Sequence, residues 1–521
     1  MTRKRFGSKT SYRAVLVSDH IYIVRSHAEP SGILAHVLKP QWPIKAESLV
    51  KRNETTARKL RYQALGIACR TANINSLLIG HHEDDCVETL FSRLLSGNNR
   101  ELNPIKAIKE IPECHGIYGV HESGGLGSTH SFVEDDGLPV ETGGVRLLRP
   151  LLHFSKQQLI ATCVSDGLEW VEDPSNQDLT LTTRNTIRYL HKNRQLPKAL
   201  QKESIVAYMA HTSQRRRDRT KRVETMFNAC KLKLGVSTGV LRVEIPHEFA
   251  QELNLRNEDD SIIAASFVRR LAMLVTPFQV IDLAPLWTVV DAMFSLPRHQ
   301  HVKAKGLKRN IFVGGGAHFM KSKHSNMSWI ISGQSFLPAQ YRRYKEYGGP
   351  NLAEQYSRLD EWKETAIMRK SWFEISKADL LTNIESAPFH LFDGRFWIRV
   401  WNPTNLLVRI RNLIAYDLQT MLRAQDDTAR QEMEALLRRR APREIRWTLP
   451  LIEVKSESHT GRVLALPSLG IKVEVDTDGL PEADLEQLRS VKWETRYKKI
   501  DLGSHDLKEV LVDGYMIHED S

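Results

Sequence analysis

Within eight residues this sequence sets two histidines, three consecutive acids and a fourth carboxylate: His81, His82, Glu83, Asp84, Asp85 and Glu88, with Thr89 directly behind. Asp84 and Glu88 are four apart and share a helix face, while Asp85 projects from the adjacent one. Carboxylates so grouped could hold Mg2+, which takes one or two protein carboxylates and completes its shell with phosphates. The start of the helix would itself offer free N–H groups and a positive dipole end to a phosphate. Thr89 and Arg93, again four apart, add a hydroxyl and a guanidinium on one side. Acids in a first helical turn also serve merely to complement the dipole, so spacing alone leaves both readings open. The spacing argues against zinc, because His81 and Asp85 have no third His or Cys at useful spacing.

The flanking elements are those that would present such a cluster at a sheet edge. Ser76–Gly80 is an apolar run of strand length leading into His81. Val87, Leu90, Phe91, Leu94 and Leu95 then recur at helical spacing until Gly97 and Asn98 end the pattern. Upstream, Ala57, Leu60, Ala64, Ile67 and Ala68 mark a helix over 54–68, and 13–18 reads as a strand ending at Asp19 and His20. Strand and helix in this alternation predict an α/β fold with a parallel sheet. Residues 112–144 read as a surface loop or insertion, and 145–190 as a second α/β stretch. Residues 201–235 form a basic helical region, and short strands prevail beyond about 300, including Phe396–Trp401. One further helical segment spans roughly 412–440. Arg443–Pro450 looks like a strand.

The whole-chain totals narrow the class. With 521 residues, two or three domains are expected. No apolar run approaches bilayer length, which argues against a membrane-spanning protein. The five cysteines are scattered and form no CxxC pair, so neither a zinc ribbon nor a disulfide framework is indicated. A formal net charge of +12 favours a polyanionic partner such as nucleic acid, although charge alone also suits a basic protein without one. The first thirteen residues are basic, hold Ser and Thr, and lack acids, which loosely resembles a mitochondrial transit peptide. A mitochondrial or a cytoplasmic location is expected.

Five segments, in order, carry a family resemblance. Leu77–Thr89 resembles the HHxDDxxET signature of tRNA(Ile)-lysidine synthases, with Cys86 where a Gln usually stands. Ala57–Tyr62 resembles that family's ARxxRY element, Leu90–Gly97 its LxxRLxxG helix, and Arg149–Leu152 its RPLL element. Trp170–Asn176 followed by Arg184–Arg188 is similar to WxEDPSN…RNxIR. The resemblance covers residues 50–190 or so. It implies an α/β, parallel-sheet PP-loop nucleotide-binding domain over 1–195, then a basic helical or mixed domain over 196–350 and an α+β domain over 351–521. It further implies a ligase that uses ATP and Mg2+ to adenylate C2 of the wobble cytidine in tRNA(Ile) with a CAU anticodon. Free L-lysine then displaces AMP. By the same resemblance Asp84, Asp85, Arg93 and Arg149 are catalytic, with Asp84 and Asp85 also on the metal. Asp19, His20, His81, His82, Glu88 and Thr89 bind ATP. Arg58, Arg61, Arg184, Asn185, Arg188, Arg215 and Arg216 face tRNA. No membrane partner is expected, and a homodimer is left open.

One family element has no counterpart at its usual place. The SGGxDS phosphate loop does not precede Asp19, and on this reading the PP-loop domain is N-terminally incomplete. Glu122–Ser128 reads like that loop with Gly127 replacing the Asp, but it follows the HHEDD segment and no suitable strand leads into it. It is expected to belong to the insertion, because a phosphate loop must join a strand to a helix N-terminus. A catalytically inactive tRNA-binding relative and a sister PP-loop tRNA-modifying enzyme remain as alternatives. The missing CxxC speaks against a thiolase.

Overall fold

The computed structural model describes residues 13–16, 34–38, 54–95, 105–125, 137–170, 183–193, 195–294, 311–322, 327–335, 363, 370–376, 383–455, 461–473 and 488–512. These fall into two compact units. The first comprises residues 1–115, 119–121 and 144–217; the second comprises 116–118, 122–143 and 218–521. Both segments read from the sequence as middle and C-terminal domains contribute to the second unit. No helix among the described residues is long and apolar enough to cross a membrane.

The first unit is α/β. Strands β1 (Arg13–Leu16) and β2 (Leu34–Val37) pair in parallel. In a separate sheet, β3 (Ser76–Leu78) pairs in parallel with β5 (Arg146–Leu148), whose other edge takes β4 (Ile108–Glu110) antiparallel. Helix α1 (Glu54–Thr71) precedes β3, and α2 (Glu83–Leu95) follows it. The expected apolar spacing appears on α2, where Val87, Leu90 and Phe91 are buried against Ile187 and Ile205. Those partners lie on α4 (Thr183–Lys192) and α5 (Lys202–Asn228); α3 (Lys156–Ser165) comes before them. On α1 the buried face is Tyr62, Leu65, Gly66 and Cys69, and Ile67 is exposed. Gly66 is needed there: a Cβ would come within 2.5 Å of Val120 Cγ1 and 2.9 Å of Cys114 Sγ.

The second unit is mostly antiparallel sheet. Strands β6 (Lys231–Gly235), β7 (Val240–Glu244), β8 (Ile311–Gly314), β9 (Ala317–Lys321) and β10 (Ser328–Gly333) form one sheet in the order β6-β7-β10-β9-β8. Helices α6 (His247–Glu252), α7 (Glu258–Met273) and α8 (Trp287–Met293) lie between β7 and β8 in the chain. A three-stranded sheet holds β12 (His390–Phe392), β13 (Phe396–Trp401) and β18 (Lys492–Tyr497). The last sheet runs β11 (Trp372–Ile375), β14 (Leu407–Asn412), β15 (Pro450–Lys455), β16 (Arg462–Leu466) and β17 (Ile471–Lys472).

Several sequence expectations change in detail. The helix read over 412–440 is two, α9 (Ala415–Arg423) and α10 (Asp427–Arg440), because the Asp426 side chain accepts the Ala429 N–H and starts a new helix. Arg443–Thr448 is a 3-10 turn rather than a strand. Residues 112–144 are not simply a surface loop, since Cys114, Val120, Val140 and Glu141 are buried. Tyr341–Tyr347, an aromatic and basic stretch of the sequence, lies outside the described residues.

The strongest polar constraint in the second unit is a buried triad. Arg411 on β14 donates to both oxygens of Asp417, at 2.7 and 2.8 Å, and to Glu453 on β15 at 2.5 Å. All three side chains are almost wholly buried. Replacing Arg411 by Met would strand buried Asp417 and leave Glu453 with Arg409 alone, 3.7 Å away, and should cost about 3–5 kcal/mol of stability. Chemical denaturation of the full chain checks this; a loss within experimental error would show that the triad is not a constraint.

Candidate functional site

The cluster singled out in the sequence sits at the carboxyl end of β3 and forms the first turn of α2. Gly80 has open space around it and leads the chain into His81 and His82. The turn then closes on itself: the His82 N–H donates to Asp85 Oδ2 at 2.9 Å, and the Glu83 N–H donates to the Phe154 carbonyl at 3.0 Å. Asp84 is held from two sides. Its Oδ2 accepts the Lys156 N–H at 2.7 Å from the start of α3, and its Oδ1 accepts Lys202 Nζ at 2.6 Å from the start of α5. The same ammonium lies 3.1 Å from Glu83 Oε1. One turn along, buried Glu88 receives Arg188 of α4 in a two-point grip, at 2.5 and 3.1 Å.

Burial pushes the Asp84 carboxyl up, but the Lys156 N–H and the Lys202 ammonium outweigh it and hold the group below its ordinary range. Burial likewise acts to lower Lys202, and the bonds to Asp84 and Glu83 outweigh it, so Lys202 stays protonated beyond the usual lysine range. His82 Nδ1 stands 3.7 Å from Asp84 and 3.6 Å from Asp85. Cys86 is buried, and burial keeps its thiol protonated.

A second cluster in the same unit has the opposite sign. Arg149, from the residue after β5, is buried and donates from Nη1 to the Lys106 carbonyl at 2.8 Å. Its Nε has no hydrogen-bond partner among the described residues. Burial lowers its pKa, the nearby charge of Arg58 lowers it further, and Tyr62 and Cys86 oppose the change. Lys109 is lowered by burial too. Glu113 counters that, while Arg149, Arg58 and Arg93 add to it. Arg58 also pairs with Glu113 at 2.9 Å and lies over the Tyr62 ring at 4.8 Å. Four cations that feel one another's field, one of them buried with an open donor, suit an anion.

The remaining sequence-expected residues are dispersed. Arg61 is exposed, Thr89 is half-buried, His81 is half-buried, and Asn185 is buried. Arg188, expected to face RNA, spends its guanidinium on Glu88. On α5 of the first unit, Arg215 is exposed and Arg216 half-buried, while Arg217 bonds Gln214. Arg219 and Arg222 pair with Asp259 and Asp260 in the second unit. Asp19, His20 and Glu172–Asn176 lie outside the described residues, as does the Arg184 side chain.

Two expectations for the turn itself meet a different arrangement. A phosphate was expected at the start of α2, but Glu83, Asp84, Asp85 and Glu88 make that end acid-lined, and the Glu83 and Asp85 N–H groups already have carbonyl partners. Mg2+ was expected on Asp84 and Asp85. Both Asp84 oxygens are taken by Lys156 and Lys202, Asp85 is turned to His82, and among the described residues no group of three His, Cys, Asp or Glu could hold a metal ion. The residues present do not fit a resident Mg2+. Lys202, Lys109 and Glu113 escaped the sequence reading, for they lie 118, 25 and 29 residues from Asp84 and no local spacing marks them.

A family model described as a PP-loop domain matches residues 17–193. A probable tRNA(Ile)-lysidine synthase of Schizosaccharomyces pombe is 38% identical over 138 residues, which is 26% of this chain and 25% of that protein. A tRNA(Ile)-lysidine synthase of Pseudomonas fluorescens is 33% identical over 136 residues, 26% of this chain and 23% of that protein. The match thus spans about a quarter of the length of these curated relatives. Among solved structures, a U34-tRNA thiolase of Methanococcus maripaludis with its [4Fe-4S] cluster aligns with 39% of this chain and 62% of its own, at 14% identity and a TM-score of 0.25.

The geometry around α2 sets a pH dependence. His191 packs edge-on against Phe91, and burial holds its pKa below the ordinary histidine value. The unfolded chain therefore takes up the proton first, and stability is lost as pH falls below about 6.5. The Asp84–Lys202 pair behaves differently. Asp84 is lowered, so its contribution is present above 3.8 and lost as pH falls further; Lys202 is raised, so its contribution is present below 10.5 and lost as pH rises beyond. Between about pH 7 and 9 the pair contributes a constant amount. His390 of the second unit is shifted in the same direction as His191, so the measurement is a difference. Melting the wild type and His191→Gln from about pH 8 to 5 should show a shallower decline in the variant; parallel curves would overturn the assignment.

Proposed function

We propose that this chain, which belongs to the PP-loop family and is related to tRNA(Ile)-lysidine synthases, activates a tRNA base with ATP and joins lysine to it. The observation that carries this reading is the division of charge around α2. Phosphate belongs with the cations Arg58, Arg93, Lys109 and Arg149. The acid-lined turn suits a cationic second substrate: among the described residues its four carboxylates have ion pairs to Lys202 and Arg188, so acids outnumber these bases. Free lysine, whose amines are cationic at neutral pH, has the matching charge.

In the reaction so read, O2 of the wobble cytidine attacks the α-phosphorus of ATP and pyrophosphate leaves. An amine of lysine then attacks C2, and the C2–O2 bond breaks with release of AMP. This chain's residues would serve both steps by electrostatics. Arg149, buried and with an open Nε, faces the negative charge that grows as pyrophosphate departs. The amine must shed a proton, and the His82 imidazole, with Asp85 at 3.6 Å behind it, is the base in this cluster. Mg2+ carried in with ATP would help to neutralise its phosphates, and no step is assigned to a metal on Asp84. Exposed Arg61 and Arg215 face outward, where the backbone of an RNA can be met without burying their charge.

The test is ATP–pyrophosphate exchange by the full chain with unmodified tRNA(Ile) bearing a CAU anticodon. Exchange should require the tRNA, and Arg149→Ala should lower its rate about a hundredfold while tRNA affinity stays within a few-fold. Binding of that tRNA without exchange would replace the ligase reading with a binding role. Exchange without lysine-dependent AMP release would point instead to another PP-loop modification.

A further inference from the structure

The candidate site contains a cation of its own. Lys202 is the first residue of α5 and far from α2 in sequence, yet its Nζ meets Asp84 Oδ1 at 2.6 Å and Glu83 Oε1 at 3.1 Å. These carboxylates are adjacent in the first turn of α2, and one ammonium spans both. Asp84's other oxygen accepts the Lys156 N–H at 2.7 Å. The pair therefore has the donors it needs without any ion, and Asp84 becomes a joint that fastens α2 to the starts of α3 and α5. The three side chains are about a quarter to a third exposed, so the contact is partly shielded from water but open to exchange with solutes.

We propose that Lys202 is the resident counter-cation of the Glu83–Asp84 pair, filling the place a divalent ion held by these carboxylates would take, and that it is a positioning residue for the turn carrying His82 and Asp85. Two consequences follow from charge and geometry. While Lys202 is present, Glu83 and Asp84 bind no divalent cation, because binding would need two positive groups against one another between the same oxygens. When the ammonium is removed, two neighbouring carboxylates lose their neutralising partner and become a cation site, since hard oxygen ligands with uncompensated charge attract hard cations. A guanidinium at position 202 keeps a positive charge and several donors at the pair, so Arg should substitute where an uncharged chain cannot. The metal-binding consequence does not rest on the ligase reading. The positioning role does.

The experiment titrates Mn2+ into the full chain without nucleotide and follows free Mn2+ by electron paramagnetic resonance. The wild type and the double variant Glu83→Gln, Asp84→Asn should bind the same amount. Lys202→Met should gain a site about tenfold tighter than any in the wild type, lost again when Asp84→Asn is added, and Lys202→Arg should gain none. The comparison of wild type with the double variant decides the matter even where Lys202→Met fails to fold: a saturable wild-type site lost with the two carboxylates would overturn the proposal. So would a folded Lys202→Met that binds Mn2+ no better than wild type. The ligase reading is tested apart, through pyrophosphate exchange. If that reading holds, Lys202→Met should lower exchange and Lys202→Arg restore it; exchange unaffected by Lys202→Met would overturn the positioning role while leaving the metal result intact.

Discussion

Four carboxylates within six residues, Glu83, Asp84, Asp85 and Glu88, must share the start of one helix, and the arrangement of the first unit answers that repulsion. The helix dipole favours acids at this end, but by only about 0.3–1 kcal/mol each, too little to settle four of them in a partly buried turn. The fold therefore brings donors from elsewhere: the ammonium of Lys202 from α5, the guanidinium of Arg188 from α4, and the neutral backbone N–H of Lys156 from the beginning of α3. Each of these three elements is fixed to α2 by the carboxylate it bonds. The apolar contacts of Val87, Leu90 and Phe91 with Ile187 and Ile205 lie on the same helices and act together with these bonds.

Placing the acids at the end of β3 also decides where an anion can go. The turn is acid-lined, and the unit's other polar cluster, Arg58, Arg93, Lys109 and Arg149, has the sign that suits an anion. Lys109 and Arg149 both lie below their ordinary pKa, chiefly because they are buried, with the neighbouring cations adding to the shift. A protein would gain stability by giving these groups a carboxylate each. Among the described residues Glu113 is the counter-charge acting on Lys109, and it is shared with Arg58.

Much of this was legible in the sequence, and the limits have physical causes. The HHEDD segment announced itself because a strand-length apolar run, a polar cluster and an amphipathic helix follow one another directly, so the local pattern contains the geometry. Arg149 could be named from its motif, though not its burial. Lys202 could not be found, because nothing local distinguishes a lysine at a helix start; only the packing of α5 against α2 gives it a partner. Arg188 was placed on the RNA by the family resemblance, whereas buried Glu88 takes its guanidinium in a two-point grip. The split of 412–440 into α9 and α10 was visible in Asp426, a cap residue, but apolar periodicity on either side obscured it.

The glycine-rich stretch at Glu122–Gly125 shows why chemical context outranks a motif. A phosphate loop works by leaving N–H groups unpaired until an anion arrives. Here the Gly124 N–H already donates to Glu141 Oε2 at 2.6 Å, and the other oxygen of that buried carboxylate takes Tyr118 Oη at 2.8 Å and Arg496 Nη1 at 3.2 Å. The protein's own carboxylate thus stands where a bound anion would have to be. The glycines serve chain packing instead. A Cβ on Gly125 would come within 2.2 Å of the Gly143 backbone, so two chain segments meet at a distance only glycine allows. Beyond it, Tyr497 exchanges backbone bonds with Pro139 and Glu141 within the second unit. At Gly125 this close approach accounts for the glycine, and the Gly124 N–H is already spent on Glu141.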